Sequence, residues 1–252
     1  MALVAAVLAA CALPCPAAEA VAWRESGSFA ADEAHQAAAA DGDFVYAITN
    51  DRIARYDRRS GKKLAVSTGE AAHLNSGFVW LGKLYCAHSN YPRTPELSQI
   101  KVLDLATMRL TTFHDFGDFG GSLTWVVRRD NAWWCNFARY EEHNAETFLV
   151  RISDNWQETG RWTYPHEVIE RLGDRSISGG VFDGDELLAT DHDNRWLYRL
   201  RVPKNNGVLE FIRIEAAPFS GQGIAADPQT GVLVGIDRKQ RRVIFAEKHP
   251  SD

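Results

Sequence analysis

Cationic runs are missing from this chain. Its 252 residues carry 28 Lys and Arg against 33 Asp and Glu, a formal net charge of -5, and no basic cluster stands out. The electrostatic footprint of a nucleic-acid binder is therefore absent. After residue 20 no apolar run is long enough to span a bilayer. Compact catalytic motifs are missing too. There is no GxSxG nucleophile elbow, P-loop, dinucleotide fingerprint, HxxxH or CxxC, which disfavours a serine-elbow hydrolase and a nucleotide-cradling site. Cysteine is scarce, four in all, and Cys11 and Cys15 precede residue 20. Cys86 and Cys135 hold matching places in LYCAHSN and WWCNFAR. They read as buried thiols acting as small hydrophobes. A disulfide is the alternative in an exported chain, limited by its strict geometry.

Residues 1–20 read as a secretory signal peptide. Ala2 to Leu13 is apolar but too short to span, and Ala18-Glu19-Ala20 supplies a small-x-small cleavage site. No Lys or Arg precedes the apolar run, and Leu8-Ala9-Ala10-Cys11 offers a lipoprotein box as a second reading. Export to the periplasm or beyond is expected, with residues 21–252 forming one domain.

What is abundant is a repeat. Five stretches run from small polar residues through an apolar strand, a tight turn and further strands. Their first turns contain Asp41-Gly42, Leu81-Gly82, Asp130-Asn131, Asp183-Gly184 and Thr230-Gly231. The second turn residues are spaced by 40, 49, 53 and 47 positions, a period typical of propeller blades. Eight Trp, seven Tyr and twelve Phe suit such a strand-rich fold. Blade five ends one strand short, and Val21 to Phe29 has strand character. An all-β, five-bladed β-propeller is predicted, its last blade closed by the N-terminal strand. Closure removes free edges and favours a monomer. Tyr164 to Arg175 (YPHEVIERLGDR) is the one helix expected, and it carries His166 and Glu167.

In a propeller the start of each innermost strand and the loop after the second strand share the mouth of the channel. His35, Gln36, His73, Asn75, Ser76, Ser122, Ser178 and Gln222 come from strand starts. Thr49, Asn50, His88, Asn90, Tyr91, Arg139, Tyr140, Asp191, His192, Asp193, Asp237 and Arg238 come from loops. The loops differ from blade to blade (TND, HSNY, NFARY, DHD, DRK). Structural ties recur in every blade, so differing groups on a repeating scaffold point to an asymmetric ligand. A single residue such as Asp237 still reads more readily as a blade-to-blade tie.

His88 and His192 are the acid/base candidates because imidazole titrates near neutrality. Asp191 can orient His192, Arg139 or Arg238 can hold developing negative charge, and Tyr140 can assist. His73, Asn75, Asn90, Tyr91, Ser122, Ser178, Gln222, Asp237 and Arg238 are the substrate-binding candidates. Trp125, Trp133, Trp134 and Trp196 read as blade packing ahead of sugar stacking. Two cation sets are open: His73, His88, Asp191 and His192 for a transition metal, or Asn75, Asn136, Asp191 and Asp237 for calcium. No cofactor is certain.

The runs HLNSG (His73 to Gly77), YCAHSNYP (Tyr85 to Pro92), GSLTW (Gly121 to Trp125), SISGG (Ser176 to Gly180), GQGIA (Gly221 to Ala225) and GIDR (Gly235 to Arg238) resemble a family of exported bacterial propellers commonly labelled cycloisomerase, related to lactonase-type propellers. The resemblance covers nearly all of the chain after residue 20. It implies chemistry on a small cyclic ester or sugar-like ring. The six blades and acidic calcium cage of senescence-marker lactonases have no counterpart here.

The leading expectation is an exported enzyme that opens, closes or isomerises a small polar ring by acid/base chemistry at the channel mouth. A non-catalytic glycan- or protein-binding propeller is one alternative. A glycoside hydrolase pairing Asp191 with Asp237 is another, and needs carboxylates roughly 5–5.5 or 6.5–9.5 Å apart.

Overall fold

A computed structural model describes residues 22–249. The proposed signal peptide, its lipoprotein box, Cys11 and Cys15 lie outside the described residues. The chain forms a five-bladed β-propeller. Blade 1 runs through Ala37–Ala40, Phe44–Ile48, Ile53–Asp57 and Lys63–Val66. Blade 2 is His73–Trp80, Lys83–Ser89, Ser98–Asp104 and Arg109–Gly117. Blade 3 is Ser122–Arg129, Ala132–Ala138, Phe148–Ile152 and Glu158–Thr163. Blade 4 is Gly179–Asp183, Glu186–Thr190, Trp196–Arg201 and Glu210–Ala216. Blade 5 is Ala225–Ala226, Leu233–Asp237, Arg242–His249 and, from the other end of the chain, Ala22–Ala30. That N-terminal strand pairs antiparallel with Arg242–His249 from Ala22↔His249 to Ala30↔Arg242. The ring is thus closed by joining the two ends of the described chain, as the missing fourth strand predicted.

The hydrophobic core is divided into five clusters, one at each contact between neighbouring blades. Trp125, Trp134, Leu149 and Trp162 of blade 3 meet Leu187 and Tyr198 of blade 4. Val45 and Ala47 of blade 1 meet Val234 and Val243 of blade 5. Alternating side chains project from both faces of each sheet, so every blade is apolar on two sides. Burying one large side chain there contributes about 1.5–3 kcal/mol. Trp125, Trp133 and Trp134 are all buried and Trp196 packs against the same core, which assigns the tryptophans to packing.

Near the axis the blades crowd, and the sequence answers with small residues. The innermost strand of blade 1 is four buried alanines. A Cβ on Gly223 would stand 2.6 Å from the Ala37 Cβ and 2.8 Å from the Ser76 Cα. The innermost strands of blades 2 and 3 bulge between Leu74 and Gly77 and between Leu123 and Trp125. The extra residues bond across the channel wall. Asn75 donates to the Leu123 carbonyl at 2.9 Å, Ser76 to Ile224 at 3.3 Å and Thr124 to Ile177 at 2.7 Å. The bulges therefore tie blade to blade at the depth where the channel opens.

Two irregular segments modify the mouth. The expected helix is present as His166–Leu172, packed through Val168 and Leu172. A 3-10 helix, Glu141–Glu146, was not foreseen. Cys86 and Cys135 are free and buried, as the hydrophobe reading predicts. Burial pushes the Cys86 thiol up to about 12.

Candidate active site

A cavity of about 700 Å³ opens at the predicted end of the channel. Every residue lining it carries a polar side-chain group, so its ligand is polar. Of the sequence candidates it gathers His73, Asn75, Tyr91, Tyr140, Ser178, His192, Gln222 and Arg238, together with Gln36 and Asn50. Sequence reasoning missed Thr124, Glu141, Glu142, Asp174, Arg175 and Ser176, which also line it. Thr124 sits in a bulge, and the others sit in the two irregular segments, where the blade repeat gives no positional signal.

A chain of four side chains runs behind one wall, where His192 and Arg238 line the cavity and Asp193 and His35 back them. Asp193 Oδ2 lies 2.8 Å from His192 Nδ1. Arg238 lies 3.2 Å from His192 Nε2 through Nη1 and 3.0 Å from His35 Nε2 through Nη2. A guanidinium only donates, so both Nε2 atoms accept and both imidazoles are neutral here. His192 then carries its proton on Nδ1, and that N–H donates a hydrogen bond to the Asp193 carboxylate. Burial, with the neighbouring guanidinium of Arg238, lowers His35 to about 4. Burial pushes Asp193 up, but its bond to His192 and the neighbouring positive charges, Arg175 and Arg238 among them, together hold it below the usual carboxylate range. Gln222 fixes the same corner. Its side chain donates to the His192 carbonyl at 2.6 Å, and its backbone adopts a left-handed φ of 70°, a costly conformation for a residue with a Cβ.

Across the cavity, His73 lies against Tyr91 with ring centres 5.3 Å apart, and Tyr91 against Tyr140 at 5.0 Å. Burial, with the Arg238 guanidinium, lowers His73, and burial raises Tyr140. Ser178 donates to the Ser176 carbonyl at 3.3 Å, whereas the buried Ser176 hydroxyl has no protein partner.

Six of the catalytic and substrate-binding candidates do not line this cavity, nor do Ser76, Asp193, His35 and Thr49 of the predicted mouth, the last two lying in a separate depression. His88 belongs to a separate depression with Lys101 and Glu70. Its Nε2 accepts from the Ala72 N–H at 3.0 Å, and burial lowers it to about 4. The cause is strand length: the second strand of blade 2 continues to Ser89, so His88 stays in the ladder instead of entering the loop. Asn90 organises that loop, bonding Pro95 at 2.9 Å and Leu97 at 2.8 Å. Ser122 is fully buried and bonds Glu96. Arg139 faces a neighbouring depression, where it donates to Gly120 at 3.1 Å and pairs with Glu146 at 3.5 Å.

Asp191 and Asp237 are turn caps. Asp191 accepts from the N–H groups of Asp193 and Asn194, from the Asn194 amide and from Tyr198. Asp237 accepts from the Gln240 N–H and pairs with Arg195. Both are buried, and neither offers a free carboxylate for glycoside hydrolysis. The same contacts dissolve the two cation sets. Asn136 is likewise spent on Thr124 and Tyr164. Among the described residues no three His, Cys, Asp or Glu side chains are gathered as metal ligands. His166 and Glu167 are exposed on the helix; the residues just after it, Asp174 to Ser176, reach the cavity instead.

No family model and no curated protein matches this sequence. Solved structures do match it. The glutaminyl cyclase of Myxococcus xanthus superposes with a TM-score of 0.64, covering 93% of this chain and 99% of that one at 9% identity. A chain of the mitotic checkpoint complex covers 98% of each at 10% identity, with a TM-score of 0.50. At these identities the likeness is one of fold: the chain is similar to known β-propellers over nearly its whole length.

Proposed function

We propose that the chain is an exported acid/base enzyme that closes, opens or isomerises a small polar ring in the channel-mouth cavity. The observation that carries this reading is the Asp193–His192–Arg238–His35 chain, whose two middle members line the cavity. Asp193 fixes the tautomer of His192, which leaves Nε2 as the basic atom. Arg238 occupies that atom at rest. A substrate oxygen that attracts the guanidinium frees Nε2 to take a proton from the attacking group and return it to the leaving group. His35 stays neutral at pH 7 and positions Arg238.

The fold neighbour named a glutaminyl cyclase supports ring closure at an acyl carbon as the first reaction to test. The cycloisomerase and lactonase resemblance supports small lactones as the second. Residues 22–252 should be incubated with N-terminal glutaminyl dipeptides and with five- and six-membered lactones, followed by mass spectrometry. Loss of ammonia or uptake of water, catalytic in protein, is the expected result. No conversion across both classes would count against the enzyme reading and favour a binding propeller.

A further inference from the structure

Arg238 is a cation without an anion. Among the described residues no carboxylate forms an ion pair with it, and Asp193, spent on His192, supplies only a longer-range attraction. Its two acceptors, His35 and His192, fix the guanidinium without neutralising it. Two of its five N–H donors are used, and it lines the cavity. Most other half-buried or buried arginines take carboxylates, as Arg58 does with Asp227 and Arg199 with Asp183, Glu186 and Glu215, while Arg55 donates to the Leu105 carbonyl. Arg238 is thus held ready for an anion that the chain does not provide.

The rest of the cavity directs that anion. Glu141 and Glu142 come from blade 3. In a ring of five, blade 3 lies across the axis from the junction of blades 5 and 1, where Arg238 and His35 sit. The carboxylates repel an anionic group from their own wall and leave it two guanidiniums, exposed Arg175 on the loop after the helix and half-buried Arg238, of which Arg238 is the one held in place by side-chain acceptors. The planar fork suits a carboxylate, which it grips through two parallel bonds.

We infer that the substrate carries a carboxylate and that Arg238, positioned at rest by His35 and His192, is its anchor. This rests on the reading of the cavity as the reaction site, yet it concerns binding, so its test needs no turnover. Melting temperature is followed in an anion-free buffer with glutarate, with the isosteric glutaramide and with inorganic phosphate. Glutarate at about 100 times its Kd is expected to raise the melting temperature by roughly 5–10 °C, and glutaramide to leave it unchanged. Arg238→Gln, melting normally without ligand, should weaken glutarate roughly 10- to 100-fold. Arg238→Lys should keep part of the response. Equal shifts from glutarate and glutaramide, an equal shift from phosphate, or an undiminished glutarate response in Arg238→Gln would each overturn the assignment. If glutarate binds through Arg238 while no substrate is converted, the anchor stands and the enzyme reading fails.

Discussion

Replacing His192 with glutamine is expected to lower kcat/KM by about 100- to 10,000-fold, with little change in melting temperature. His192 lines the cavity, and its side chain meets only Asp193 and Arg238. Its backbone carbonyl, which holds Gln222, is untouched by the substitution. His88→Gln should do the reverse, keeping turnover within a few-fold and changing the pH dependence of stability. Folded His88 titrates near 4 instead of 6.5 because burial opposes its charge. Between those values the unfolded chain binds a proton that the folded chain refuses. Stability is therefore full above pH 6.5 and falls as the pH drops toward 4. Melting curves across that window should flatten in His88→Gln, the remaining slope including His35, which is shifted in the same direction. Loss of turnover in His88→Gln with full turnover in His192→Gln would reverse these assignments.

Arg199→Met is expected to destabilise the protein by about 3–5 kcal/mol, a fall of roughly 10 °C in melting temperature. Arg199 is buried and pairs with Asp183, Glu186 and Glu215. Glu215 has no exposed side-chain surface, and it also accepts from Trp23 Nε1 at 2.9 Å. That bond pins the N-terminal closing strand to blade 4. Removing Arg199 leaves Glu215 with Arg213 as its remaining cation and loosens the attachment of the strand. The double variant Arg199→Met, Glu215→Leu removes the stranded charge as well and should recover part of the loss. Urea unfolding measures both. A change below about 0.5 kcal/mol in the single variant, the range of ordinary surface substitutions, would show that the network does not hold the closure.

The blade count was legible because each blade repeats one pattern of alternation and turns, and the closure because blade five lacked a strand. The mouth was legible from topology alone, since antiparallel pairing brings strand starts and second-strand loops together. What failed was fine register. His88 lies one residue inside its strand end, so the side chain faces the depression beside Lys101 instead of the mouth. Asp191 and Asp237 sit where their strands give way to turns, and turn N–H groups claim them before any ligand can. Taken singly, Asp237 reads as a blade-to-blade tie, and it is one, through Arg195, whereas the side chain of Asp191, expected in catalysis, bonds only within its own blade. Glu141, Glu142 and Asp174 escaped notice because a 3-10 helix and a post-helical loop obey no blade period.

The central claim is that reaction occurs in the channel-mouth cavity. Filling that cavity with Ser178→Trp, beside Asp185→Trp on the far-face hairpin as control, tests it most directly. Both variants should melt like the parent protein. Turnover of any glutaminyl dipeptide or lactone that the parent converts should vanish in Ser178→Trp and persist in Asp185→Trp. Parental turnover in a folded Ser178→Trp protein would contradict the account and place the chemistry elsewhere on the propeller.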